Sequence, residues 1–97
     1  MIAKLLLWNL DIESEIEPAN GTDFQLSELY GYLEAEIIQT LYLTNDIVML
    51  IDEESKLNPK KVKQHNEKAT RLLHRAGGFP GDFILGNAIL CPRNMLQ

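Results

Sequence analysis

A chain of 97 residues, 45% hydrophobic and 24% charged, has the size and composition of one globular domain, so a single domain over 1–97 is the expectation. Its one cysteine, Cys91, excludes an internal disulfide framework, and no apolar run approaches the ~20 residues of a membrane-spanning helix. The net charge of −5 is unevenly divided: residues 1–55 carry twelve acids against Lys4 alone, and residues 56–97 carry Glu67 and Asp82 against eight Lys or Arg. Such halves neutralise each other within the chain or between subunits, or else the basic segment faces an anionic partner.

In chain order, Ile2 to Trp8 is an apolar run broken only by Lys4, which predicts a buried strand. Asp11 follows too soon for a secretory signal, so a cytoplasmic location, in a prokaryotic or infected host cell, is the expectation. "DIESEIE" alternates, and reads either as an additional strand over 12–17 with a solvated acidic face or as loop. "PANGTD" is a dense turn signal. Thr22 or Asp23 is then placed to cap a short helix from Phe24 to Gly31, with Glu28 early in it.

"EAEIIQTLYL" and "IVMLIDEE", separated by Thr44-Asn45-Asp46, predict a β-hairpin. The competitor is one long helix from Phe24 to Leu43. Gly31 and the β-branched Ile37, Ile38, Thr40 and Thr44 favour strands. "ESKLNPKKVKQH" is a basic connection. Asn66 is placed to cap a second helix, Glu67 to Ala76, which Gly77 ends and Pro80 prevents from continuing. "DFILGNAILC" reads as the last strand, interrupted by Gly86, and "PRNMLQ" as a tail. The resulting fold class is α+β: a mostly antiparallel sheet of about four strands, order β-α-β-β-α-β, with two helices on one face.

The second helix carries the most informative chemistry. At ~100° per residue, Lys68, Arg71 and Arg75 share one stripe beside the apolar face of Ala69, Leu72, Leu73 and Ala76. Arginine forks suit a phosphate or carboxylate, so these three cations, with Asn66 as a polar neighbour, are the candidate ligand-binding residues. The competing expectation is that they pair with Glu34, Glu36 or the Asp52-Glu53-Glu54 run, or are merely solvated. His65 and His74, nine apart, fall on nearly opposite faces if both are helical, so no metal site is expected.

No activated nucleophile is visible, and Glu13, Glu15 and Glu17 fit an edge guard better than catalytic carboxylates, so neither an enzyme nor a cofactor is expected. Seven of the nine Lys and Arg lie between Lys56 and Arg75, but without an aromatic among them, so nucleic acid is not the expected partner. The glycines of "GGFPGDFILG" follow a helix and precede a strand. A phosphate-cradling loop needs the opposite order, with the amide-bearing helix N-terminus facing the anion.

"IVMLIDEESKLN", "NEKATRLLHRAG" and "GDFILGNAILC" together resemble a family of short uncharacterised domains carried by phages, plasmids and conjugative elements. The resemblance spans roughly residues 26–90. It rests on Asn66 and Ala69 in the helix, on Gly81, Asp82, Ile84 and Gly86 before the last strand, and on "GYLEAEI" between the first helix and the hairpin. It implies a mobile-element origin and a prokaryotic cytoplasm, and supplies no catalytic residues.

The expectation is thus a non-enzymatic accessory protein that binds a small anionic or nucleotide-like ligand, as a homo-oligomer assembled through sheet edges, with no membrane partner. The alternative is a protein–protein inhibitor or adaptor acting on a host protein.

Overall fold

The computed structural model describes residues 3–8, 13–55 and 64–96. Five strands form one antiparallel sheet: β1 (Ala3–Leu6), β2 (Glu13–Ile16), β3 (Ile38–Tyr42), β4 (Ile47–Asp52) and β5 (Ala88–Pro92), in the spatial order β2-β1-β5-β4-β3. Helix α1 (Leu26–Leu33) lies in sequence between β2 and β3, and α2 (Glu67–Arg75) between β4 and β5. The small α+β domain with an antiparallel sheet agrees with the expected class. The count of about four strands does not: the acidic alternation of "ESEI" is β2, paired with β1 through Ala3↔Ile16 to Leu6↔Glu13.

The helices lie on opposite faces of the sheet, not on one. Ala3, Val48, Leu50, Ile89 and Cys91 pack with Leu29 and Leu33 of α1, whereas Leu6, Met49, Ile51, Ala88 and Leu90 pack with Ala69 and Leu73 of α2. Successive strand residues point to opposite faces. β4 is buried continuously from Val48 to Asp52, and β5 from Ala88 to Cys91, so both faces of these central strands must be covered. The unbroken apolar run "IVMLI" already carried that requirement, because a one-sided sheet asks for alternation.

The ends of the elements have local causes. α1 begins later than expected, and Gln25 rather than Thr22 or Asp23 is its N-cap. The Glu28 carboxylate accepts from the Gln25 N–H at 2.7 Å and from the Ala19 N–H at 2.8 Å, while Asn20 organises the preceding turn by accepting from the Thr22 and Asp23 N–H groups. Phe24 is a core residue instead of a helical one: its N–H donates to the Met95 carbonyl at 2.8 Å. The expected C-terminal tail therefore folds back. Arg93–Met95 form a 3₁₀ turn, and Met95 and Leu96 pack on the α1 side of the core.

The hairpin β3–β4 and the helix α2 fall where expected, with Asn66 as the α2 cap and Gly77, at φ 93°, just past its end. The last strand is shorter than expected and begins at Ala88, after Gly86 at φ 79°. The basic connection over 56–63 lies outside the described residues.

Candidate functional site

Asn66 is the junction between α2 and the sheet. Its Oδ1 accepts from the Ala69 N–H at 3.1 Å, and its Nδ2 donates to the Leu6 carbonyl at 3.0 Å and the Gly86 carbonyl at 2.9 Å. Its backbone N–H donates to the Ile84 carbonyl at 2.8 Å, and the Gly86 N–H donates to the Gln64 carbonyl at 2.7 Å. Thr70, one turn further on, accepts the Ile84 N–H on its hydroxyl at 2.9 Å. Asn66 is 1% exposed, so it offers no surface to a ligand and its polar atoms are committed to the fold. Asn66, with the Ala69 N–H and the backbone of Ile84 and Gly86 as its partners, fastens the α2 N-terminus to the loop before β5.

The cationic stripe is split. The Lys68 ammonium lies 3.4 Å from Glu13, which also accepts from Lys4 at 2.7 Å. Register explains the cluster: Glu13 stands opposite Leu6 and Lys4 opposite Glu15, all on the face that α2 covers. The hydrogen bond from Lys4 and the nearby Lys68 charge hold the Glu13 carboxyl below its ordinary range, against the opposing effect of burial. Lys4 is raised in turn, first by that hydrogen bond. Lys68 thus pairs within the chain, with Glu13 on β2.

Arg71 and Arg75 are exposed. Arg71 shares a shallow surface depression of about 250 Å³ with His65, Glu67, Thr70 and His74. The two histidines therefore come to one place, contrary to the helical-wheel expectation, because His65 precedes the cap and pairs as an isolated bridge with Leu85 instead of lying on the helix. Nε2 of His74 lies 2.8 Å from the Asp82 carbonyl, which can only accept, so that nitrogen carries the proton. Among the described residues no group of three or more His, Cys, Asp or Glu is arranged to hold a metal ion.

Compared with known families, curated proteins and solved structures, the chain matches none.

Among the described residues β2 and β3 are the two edges of the sheet, and they differ in a way that sequence reasoning missed. β2 carries Glu13 and Glu15 and runs into Glu17 and Pro18, the charges and proline that discourage pairing with another strand. β3 has no such guard: residues 37–43 read "IIQTLYL", without a charge, a proline or a glycine. Its inner side bonds to β4 through odd-numbered residues, as shown by Leu43 N–H donating to Ile47 and Glu53 N–H to Ile37, each at 3.0 Å. Antiparallel pairs alternate between bonded and non-bonded positions, so the N–H and C=O groups of Ile38, Thr40 and Tyr42 point away from the sheet.

Beside this edge an apolar groove of about 250 Å³ runs between α1 and β3, lined by Leu26, Leu29, Ile38, Thr40 and Leu96. Leu26 is 59% exposed, Ile37 47% and Tyr42 64%, with the Arg93 guanidinium 5.4 Å from the centre of the Tyr42 ring. The signal in the sequence was the uncharged seven-residue run itself. It predicted a strand but not which strand would be outermost.

Proposed function

We propose that this protein is a non-enzymatic binding module and that it engages another polypeptide by strand addition along the outer side of β3. The observation that supports this reading is the contrast between the two edges. β2 is guarded by acids and a proline, while β3 offers three residues' worth of outward backbone groups beside exposed Leu26, Ile37 and Tyr42. Main-chain hydrogen bonds would supply the attachment, and the groove along α1 the side-chain selectivity. The protein-adaptor alternative is thereby favoured over small-anion binding. A setting in a phage, plasmid or conjugative element belongs to the same proposal and rests on the resemblance over residues 26–90.

The test is capture of polypeptides by the tagged chain and by its Thr40→Pro variant. The Thr40 N–H points outward, so proline there removes an outer donor without breaking the ladder to β4. A stoichiometric polypeptide, whether another protein or the same chain, should be held by the parent and released by the variant. Equal capture by both refutes docking at β3.

A second reading, a small anionic ligand, is supported by the meeting of Arg71, His65 and His74 in one depression. Glu67 in the same wall opposes an anion, and Asn66 and Lys68 are engaged elsewhere. Titration with a panel of nucleotides checks it: absence of heat at millimolar ligand removes the reading, and binding lost in Arg71→Ala sustains it.

A further inference from the structure

We propose that the polypeptide that docks on β3 is a second copy of this chain, in an antiparallel, two-fold arrangement centred on Thr40. This rests on the strand-addition reading above and names its partner and register. Outward-pointing groups lie on Ile38, Thr40 and Tyr42, so a self-pairing strand must set even-numbered residues against even-numbered ones. Only the register with Thr40 opposite Thr40 uses all of them: Ile38 then faces Tyr42 of the second copy, and Tyr42 faces its Ile38. Three such pairs, each exchanging both bonds, give about six main-chain hydrogen bonds and join two five-stranded sheets into one.

Side chains and charges fit the same register. Ile38, Thr40 and Tyr42 lie on the face that carries α1, since their β4 partners Leu50 and Val48 belong to that side of the core. The second copy's exposed Tyr42 ring would therefore lie against Ile38 at the rim of the apolar groove, an aromatic on a β-branched neighbour. Each copy carries a net charge of −5, yet the paired segment 37–43 has no charged side chain, so no like charges meet along the seam. Just past it, Glu36 of the second copy comes opposite Thr44, at the end where Arg93 rests on Tyr42. Two-fold symmetry would bring Glu36 of one copy towards the Arg93 end of the other at both ends of the contact. A strand of a different protein would have to supply the complement, whereas the chain's own β3 already has it.

The experiment uses the full chain. Mass under native conditions should be twice 11.0 kDa for the parent, and that of a single chain for Thr40→Lys, which sets two ammonium groups face to face on the axis. Mild oxidation of Thr40→Cys should give a disulfide-linked dimer, because a bonded antiparallel pair holds its Cα atoms ~5.5 Å apart, within disulfide reach. Thr44→Cys, which this register places far from its mate, should not cross-link, and Cys91 is too buried to compete. A parent of single-chain mass at its highest soluble concentration overturns the inference, as does equal cross-linking of both cysteine variants. If a different polypeptide is then captured by the parent and lost in Thr40→Pro, strand addition stands and only the second copy is removed. If Thr40→Pro changes neither capture nor mass, both fall.

Discussion

The side-chain amide of Asn66 reaches the carbonyl of Leu6, sixty positions away in sequence, at 3.0 Å, and the carbonyl of Gly86 at 2.9 Å. One amide thus ties the end of the first strand to the start of α2 and to the turn before the last strand, and its oxygen caps the helix. The group is buried, so every partner it loses stays unsatisfied.

Replacing Asn66 by alanine should cost about 2–4 kcal/mol, from the lost cap and the orphaned buried carbonyls. Asn66→Asp is the sharper variant. It keeps the oxygen that caps α2 but sets a carboxylate against two carbonyls, which raises the pKa of the introduced acid. Its stability should therefore be greatest at low pH, where the proton supplies one donor, and fall as pH rises through the folded pKa. Urea unfolding of the three proteins across the acid range measures this. Equal losses at every pH would place the defect in packing, not in the amide.

How much of this was readable beforehand depended on whether a signal was local. The Asn66 cap, Gly77 beyond α2, and the Thr44-Asn45-Asp46 turn are set by nearby residues, and they stand where local chemistry put them. What Asn66 does with its nitrogen was not readable, because Leu6 and Gly86 are distant in sequence. The same holds for Lys68: three helical positions define a stripe, but its partner Glu13 is set by the β1–β2 register and by which face α2 covers. The opposite faces expected of His65 and His74 hold only if both are helical, whereas the cap at Asn66 leaves His65 before the helix, bridged to Leu85. The unguarded run over 37–43 was in plain view, and only the sheet order makes it an edge.

Two glycines should respond oppositely to alanine. Gly31 lies within α1, exposed, with nothing within 4 Å of an added Cβ, so Gly31→Ala should stabilise by roughly 0.5–1 kcal/mol through helix propensity. Gly86 holds φ 79° while its N–H and C=O are both bonded, to Gln64 and Asn66, so its backbone cannot relax. Gly86→Ala should destabilise by about 1 kcal/mol or more, and the β-branched Gly86→Val further. Thermal melts of the three variants decide it. A neutral Gly86→Val would show that the positive φ is not required there.

The Glu13 cluster predicts a signed pH dependence. Its carboxyl is held low, first by the Lys4 hydrogen bond, so the folded state binds the proton less readily than the unfolded chain does. The stability it contributes is present above the ordinary carboxylate value of 4.5 and is lost as pH falls through the lowered folded value. Glu13→Gln should therefore be less stable than the parent at neutral pH and approach it in acid. High salt should narrow the neutral-pH gap, since the pair is partly exposed to solvent. A gap of constant size from neutral to acid pH would assign the loss to something other than this charge.

Cys91 gives a prediction at the other end of the pH scale. It sits in β5 with 0% exposure, beside Val48 in register, and burial pushes its thiol up to about 11 from an ordinary value near 9. A thiol with neither access nor thiolate character should be inert, so the native protein should resist an aromatic disulfide reagent at pH 8 and react fully once denaturant is added. Because the unfolded chain releases that proton first, the thiol's contribution to stability is intact below pH 9. It declines as pH rises towards 11. Cys91→Ala removes that decline at the cost of a small cavity, so its deficit relative to the parent should shrink over the same interval. Rapid labelling of the folded chain at pH 8 would mean that β5 opens locally far more often than its central place in the sheet predicts.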